Sequence, residues 1–574
     1  RTKNGLINGR TETFDGKHYN QFLGIPYAEP PTGDLRFKKP VPIKPWSEPR
    51  EASQWPNPCY QHNPFLEIFR NKVYSEDCLY LNVWAPVDTS AEVEDKEQLK
   101  AVLLWIHGGA LHLGSVMEDY QSGHVLATKG DVVVVTVEHR LNTFGFLYTG
   151  TDDAPGNMGL WDQVLALQWV NDNIELFGGD PNRITIFGDS AGGWSASLHI
   201  LSPISRSLFQ NAILMSGASI NRNAGEPARD VMQKWLRGAQ AINCTEGDDI
   251  PTEFTPKLIE CFRNAPAAVL AAIPLMPALM EGIVGWNTVV IIDGEFLPAL
   301  PLEMLNKGDH KKGLNVMIGS TQDEGTWILW FSEDSVKYSP QNPPPITHME
   351  AYNELSRISR KMWSKEPIDG EMVSKVYFTG LSDETPQDIL RQTIGVAIGD
   401  YLLRCPGIQF AQTLFENDVS DSRVYQYYYN FKLGRPRMLC SEWAGSCHYD
   451  DVPSVFGVPF YQSDRFLDRE REASEQMIDI FATFAKTGAY HKKNNCMSKL
   501  ADRVPTCTEK QVDIAIRFIE SISGSSLNLV CADYSDSSDK CDQFNGFKPT
   551  SDPKLRTKSF FLPLIELFDS FDEV

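Results

Sequence analysis

Ser190 stands in Gly188-Asp189-Ser190-Ala191-Gly192-Gly193, directly after the apolar run at 183–187 and before a helix-compatible stretch at 194–201. Strand, Gly-x-Ser-x-Gly and helix in that order describe a nucleophile elbow, a sharp turn that exposes one hydroxyl at the tip. Bulky side chains at Gly188 or Gly192 would meet neighbouring backbone, so both positions favour glycine. The turn also sets Ser190 at a helix N-terminus, whose N–H groups and dipole favour developing negative charge. The chemistry this allows is nucleophilic attack on an acyl carbon. It has two further needs: a base to take the hydroxyl proton, and N–H donors aimed at the resulting oxyanion.

The donors have a candidate in His107-Gly108-Gly109-Ala110, which closes the apolar run at 101–106. Turns of this type supply oxyanion donors in esterases and lipases. The backbone N–H groups of Gly109 and Ala110, with that of Ala191, would form the hole. Residues 107–114 lack the Gly-x-Gly-x-x-Gly spacing of a dinucleotide-binding turn. For the base, His448 in Gly445-Ser-Cys-His448 is favoured among 11 histidines, because triads on such folds run serine, then acid, then histidine. His107, His112 and His139 precede Ser190 and are expected to be structural. For the acid, the run at 315–318 leads into Gly319-Ser-Thr-Gln-Asp-Glu-Gly325, and either Asp323 or Glu324 could orient the imidazole. Asp450 and Asp451, beside His448, are read as surface carboxylates.

These groups lie hundreds of residues apart, so a scaffold must bring them together. Short apolar, β-branched runs at 101–106, 132–137, 183–187, 212–215, 315–318 and 424–429 alternate with helix-length stretches. Strands apolar on both sides must be buried on both sides, which implies a mostly parallel α/β sheet covered by helices on each face. Loops after the C-terminal strand ends then gather the site. A helix is expected over 464–486, closed by Gly488, with Met477, Ile480, Phe481 and Phe484 on one face. No repeat or low-complexity tract divides the chain, so 1–574 reads as a single domain. Its segment 494–546, with four cysteines and little strand pattern outside 528–530, reads as a Cys-rich periphery.

Composition narrows the function classes. With 574 residues, of which 42% are hydrophobic and 11% aromatic, the chain can bury a large core. Its net charge of −22 opposes binding to nucleic acid or to an anionic membrane surface. No run approaches the roughly 20 apolar residues of a membrane span. The chain begins at Arg1 without a signal-like segment, so a removed or omitted leader is the expectation. The 11 cysteines form no zinc-like cluster and point to disulfides rather than metal. Together with the sequon Asn243-Cys244-Thr245, they favour an oxidising, extracellular compartment and glycosylation at Asn243. No metal or organic cofactor is implied.

Four separated motifs resemble the type-B carboxylesterase/cholinesterase family. They are Phe22-Leu-Gly-Ile-Pro-Tyr-Ala-Glu-Pro-Pro-Thr-Gly-Asp-Leu-Arg-Phe37, Ser75-Glu-Asp-Cys-Leu-Tyr-Leu-Asn-Val-Trp84, Gly156-Asn-Met-Gly-Leu160 and Phe187-Gly-Asp-Ser-Ala-Gly-Gly193. The resemblance runs from Gly5 to about Gly488 and is poor in the Cys-rich segment beyond. It implies an α/β-hydrolase fold and a triad of Ser190, Glu324 and His448, choosing Glu324 over Asp323. It also implies disulfides Cys59–Cys78 and Cys244–Cys261, and buried ion pairs of Arg36 with Glu76 and Arg140 with Asp162. Cys405 matches a position that pairs with a C-terminal cysteine in cholinesterases, and Cys447 is expected to be the free thiol.

Departures from the family pattern bear on substrate. Ala110 replaces the usual third glycine, which a backbone donor tolerates. Cholinesterases carry a tryptophan in the first disulfide loop to face a quaternary ammonium; residues 59–78 contain none. Trp327 matches an aromatic of the cholinesterase gorge, and Trp286 falls near the acyl pocket. The expected function is therefore hydrolysis of uncharged carboxylic esters through an acyl-enzyme by a secreted serine esterase. The alternatives are a cholinesterase-like adhesion or ligand-sequestering protein with little turnover, and a lipase with a lid. Relatives of the adhesion type commonly lose the serine, which this chain keeps.

Overall fold

The computed structural model describes residues 1–62, 73–87, 99–116, 120–220, 225–245, 249–275, 289–331, 335–339, 342–362, 369–417, 422–434 and 440–489, with two short strands at Phe518–Glu520 and Asn528–Val530. Its framework is a nine-stranded sheet. In chain order the strands are β1 (Arg10–Phe14), β2 (Lys17–Pro26), β3 (Tyr80–Pro86), β4 (Lys100–Ile106), β5 (Val133–Val137), β6 (Gly179–Asp189), β7 (Asn211–Met215), β8 (Asn315–Thr321) and β9 (Arg423–Tyr429). Across the sheet they lie in the order β9-β8-β7-β6-β4-β5-β3-β2-β1. The six strands from β9 to β5 pair in parallel, and β3, β2 and β1 continue the sheet antiparallel.

All six apolar runs of the sequence are strands of the parallel part. The antiparallel edge was not foreseen: β1 and the start of β2 are exposed and polar, and β3, though buried from Leu81 to Ala85, is interrupted by Asn82, so a search for unbroken apolar runs passes over them. Both faces of the sheet centre are buried, and side chains alternate between two cores as the pleat requires. Val102, Leu104 and Ile106 of β4 enter one core while Ala101, Leu103 and Trp105 enter the other. Helix α1 (Met158–Asn173) covers the first core with Leu160, Val164, Leu167 and Val170.

The second core is closed by a helix over Asp468–Thr487, which lays Met477, Ile480, Phe481 and Phe484 against the sheet. It starts four residues later than the periodicity suggests. The Glu470 carboxylate accepts the Leu467 N–H at 2.6 Å, capping the first turn there. Gly488 ends it in the left-handed conformation, at φ 64°.

Cys59–Cys78 and Cys244–Cys261 are bonded as the resemblance implies. One expectation is corrected: Cys447 pairs with Cys440, and among the described residues the free thiol is Cys405. Both expected ion pairs form. Arg36 Nε donates to Glu76 Oε2 at 2.7 Å, and Arg140 grips Asp162 through Nε at 2.8 Å and Nη2 at 2.7 Å. The second pair is almost fully buried, and it is kept tolerable by the further bond from Arg140 Nη1 to Lys38 O at 2.8 Å. Among the described residues, no helix is long and apolar enough to cross a membrane. Apart from the paired strands Phe518–Glu520 and Asn528–Val530, the segment 494–546 lies outside the described residues.

Candidate active site

Ser190 occupies the tip between β6 and α2 (Ala191–Leu201), at φ 57° and ψ −121°. A non-glycine residue reaches that region only when its surroundings enforce it. Here the enforcement is steric. A Cβ on Gly192 would lie 2.1 Å from Ile106 O, and one on Gly188 would lie 2.5 Å from the same oxygen. The elbow is thus pressed onto the end of β4, and Ile106 stands opposite Gly188 in the parallel register.

That contact also brings the turn after β4 to the serine. A Cβ on Gly108 would be 2.7 Å from Asp189 O and 3.2 Å from Ser190 Cβ. Gly109, Ala110 and Leu111 all adopt positive φ. For Gly109 no side chain fits, since its Cβ would fall 1.9 Å from Leu113 O. Gln61, from the Cys59–Cys78 loop, braces the far side of the turn. It donates to Gly114 O at 2.8 Å and accepts from Gly114 N at 2.9 Å.

The carboxylate of Glu324 follows β8. Its Oε2 lies 2.7 Å from His448 Nδ1, which assigns the imidazole proton to Nδ1 and leaves Nε2 as the basic nitrogen. Its Oε1 accepts from Ser216 Oγ at 2.6 Å and from Thr321 N at 2.7 Å. Burial alone would raise the Glu324 pKa, but hydrogen bonds from His448, Ser216 and Thr321 outweigh it and hold the carboxyl below its usual value. Burial would likewise lower that of His448; the carboxylates of Asp189, Glu324 and Asp451 overcome this and raise it to about 9. His448 Nε2 lies 3.9 Å from Asp189 Oδ2, so the basic nitrogen faces the elbow. The indole of Trp327 stacks on the imidazole, with centroids 5.4 Å apart and planes 13° from parallel.

Glu324 and Asp323 are thereby told apart. Asp323 turns away from the imidazole and latches the 445–447 turn, accepting from Ser446 N at 2.7 Å. Asp450 and Asp451 are corrected from surface groups to buried ones. Asp450 accepts from Cys447 N at 3.1 Å, and Asp451 accepts from the Tyr427 hydroxyl at 2.7 Å. His107, His112 and His139 are buried. The His107 ring stacks on His139 at 4.3 Å and its Nε2 stands 3.7 Å from Glu138. Asn243 is exposed, at φ 58°. Trp286 lies outside the described residues.

Ser216 escaped the sequence reading. The signal available was its position: it is the first residue after β7, on the edge where β4, β6 and β8 also end.

A parallel sheet with helices on both faces, a strained serine turn and a buried acid–imidazole pair at its strand ends define an α/β-hydrolase. The sequence profile of the carboxylesterase family matches residues 1–514, and the chain belongs to that family. The match extends past Gly488 into the Cys-rich segment, farther than the motifs alone suggest. Among curated proteins, the chain is 34% identical over 509 residues to an acetylcholinesterase of Leptinotarsa decemlineata, covering 85% of this chain and 78% of that one. It is 34% identical over 500 residues to a cholinesterase of Mus musculus, with the same coverage. With an acetylcholinesterase of Danio rerio it shares 33% over 524 residues, covering 85% and 79%.

Proposed function

We propose that the chain is a secreted serine esterase that hydrolyses uncharged carboxylic esters through an acyl-enzyme. Ser190 is the nucleophile, His448 the base and Glu324 the group that orients it. His448 Nε2 takes the serine proton as Ser190 Oγ bonds to the acyl carbon. The N–H groups of Gly109, Ala110 and Ala191 receive the oxyanion, and His448 returns the proton to the departing alcohol. Water then repeats the sequence on the acyl-enzyme and frees the acid. The observation that carries this reading is the buried 2.7 Å bond between Glu324 and His448, whose other nitrogen faces the elbow.

The relatives above are named for choline esters, but residues 59–78 of this chain hold no tryptophan to receive a quaternary ammonium. Uncharged esters are therefore the favoured class. Trp327, over the imidazole, would line the substrate pocket, and Trp286 is proposed as a second wall. Two disulfide-closed loops and the exposed Asn243 sequon support secretion with glycosylation at that residue. The test is hydrolysis of nitrophenyl esters of increasing acyl length beside a choline ester. Turnover of the neutral series well above the choline ester is expected. Preference for the choline ester would overturn the substrate class, and no turnover of any ester would overturn the enzymatic reading.

A further inference from the structure

Glu324 hangs from the last turn of β8, and its two oxygens are fixed by Ser216, Thr321 N and His448. The strand end itself, residues 321–323, is tied on one side to β9 and the 445–447 turn, through Gln322 N to Tyr429 O at 2.9 Å and Asp323 N to Ser446 O at 2.7 Å. The helix α3 (Gln387–Gly399) comes down on that turn with almost no gap. A Cβ on Gly399 would sit 2.5 Å from Glu324 Cβ, and one on Gly325 would sit 2.2 Å from Gly395 O. Gly395 and Gly399, four apart and so on one face, let helix and turn meet backbone to backbone. The helix then widens to a π-helical pitch over Asp400–Arg404 before continuing as α4 (Cys405–Asn417). Such widened turns often mark functional positions, because they re-aim side chains that a regular helix would point elsewhere.

The side chain re-aimed here is Arg404. Its Nη2 donates to Thr321 O at 2.9 Å and to Gln322 O at 2.5 Å. Its Nη1 donates to the carboxylate of Asp400, whose Oδ2 accepts from the Tyr377 hydroxyl at 2.9 Å. The guanidinium also lies over the Tyr428 ring, 5.2 Å from its centroid. Both members of the ion pair are mostly buried, with side chains 12% and 13% exposed. A planar guanidinium whose Nη2 bridges two successive carbonyls while its Nη1 is locked by a buried carboxylate is a device for fixing backbone, which a lysine would serve less well.

We propose that Arg404 is a positioning residue for Glu324: it pins the carbonyls of Thr321 and Gln322, so that the carboxylate two residues on meets His448 in one geometry. Asp400 and Tyr377 hold the guanidinium in turn. Arg404 touches neither substrate nor reacting atoms, so its effect passes through Glu324. The inference rests on the proposed role of Glu324 as the acid of the triad.

The test is a double-mutant cycle on a neutral nitrophenyl ester, with Ser190→Ala and Glu324→Gln as controls. Arg404→Met is expected to lower kcat by about 10²-fold at nearly constant KM, the scale of a misplaced orienting group. Arg404→Lys should recover part of that loss, and Asp400→Asn, which frees the guanidinium to turn, should lose activity in the same sense. In the Glu324→Gln background Arg404→Met should cost nothing further, because the group it positions is already gone. Full additivity in the cycle, or unchanged kcat in both Arg404→Lys and Asp400→Asn, would overturn the proposal. Were Arg404→Met too unstable to purify, Arg404→Lys and Asp400→Asn would complete the same cycle. If Glu324→Gln and Ser190→Ala themselves leave hydrolysis intact, the reading of the site fails rather than that of Arg404.

Discussion

Asp323 and Ser446 exchange two hydrogen bonds across 123 residues of chain: Asp323 N donates to Ser446 O at 2.7 Å, and Asp323 Oδ2 accepts from Ser446 N at 2.7 Å. The residue before Glu324 is thereby latched to a residue two before His448. The turn carrying the candidate acid and the turn carrying the candidate base move as one piece, and the 2.7 Å Glu324–His448 bond inherits that rigidity.

On this arrangement Glu324→Gln should fold normally and fail in turnover. An amide keeps the shape but loses the charge that holds the imidazole in its proper tautomer. The loss should be about 10⁴-fold in kcat, the size of the equivalent change in another serine hydrolase. Steady-state kinetics beside a thermal melt would check it; a loss of activity explained by unfolding would count against the assigned role.

The rate should follow deprotonation of His448. Its folded-state pKa stands at about 9, above the ordinary 6.5, because Asp189, Glu324 and Asp451 outweigh the opposing effect of burial. The base must be neutral to act, so kcat/KM should rise with pH through a midpoint near 9 and level off only above it. Asp189→Asn removes a carboxylate 3.9 Å from Nε2 and should move the midpoint lower. A profile flat from pH 5 to 8 would contradict the role of His448.

Gly192→Ala should abolish activity by at least about 10²-fold, since a misplaced reacting group is costly. The new methyl would fall 2.1 Å from Ile106 O, and backbone cannot swing aside as a side chain can. The elbow must therefore shift against the turn after β4. Activity within a few-fold of the parent would show that the elbow tolerates displacement.

Acid should destabilise the protein well before its carboxylates are neutralised. Burial keeps His112 and His199 neutral down to about pH 3 and His139 to about 4, and His107 is lowered as well. The unfolded chain takes up these protons near 6.5 while the folded one does not. Stability should thus be insensitive to these groups above 6.5 and fall between 6.5 and about 4, by up to about 1.4 kcal/mol per pH unit for each histidine. Among the described residues neither ring nitrogen of His112 has a hydrogen-bond partner, so His112→Phe should flatten the dependence. Melting temperatures from pH 7 to 4.5 would show it; a parallel fall in parent and variant would speak against this origin.

Some of this was legible in the sequence for a physical reason. A strained serine turn demands small residues at fixed offsets, and strands buried on both faces demand unbroken apolar runs, so Ser190 and β4 to β9 announce themselves. Asp323 and Glu324 do not, because adjacent carboxylates differ only in where the turn aims them, and the partners that distinguish them, Ser216, Ser446 and His448, lie more than 100 residues away. Asp450 and Asp451 look like surface charge until the strand bearing Tyr427 packs over Asp451. Arg404 looks like a charge on a helix, and its contacts with the carbonyls of Thr321 and Gln322, more than 80 residues away, have no local sequence signal. The Cys440–Cys447 bond depends on the path of the loop between them, which spacing alone does not determine.

The central claim is that Ser190 attacks the acyl carbon. Incubation with a fluorophosphonate, followed by digestion and mass measurement, should find one stoichiometric adduct on the peptide containing Ser190, with hydrolysis lost in step, and Ser190→Ala should neither label nor turn over, its kcat reduced by about 10⁶. An adduct on another residue, or an unlabelled but active parent protein, would contradict the account.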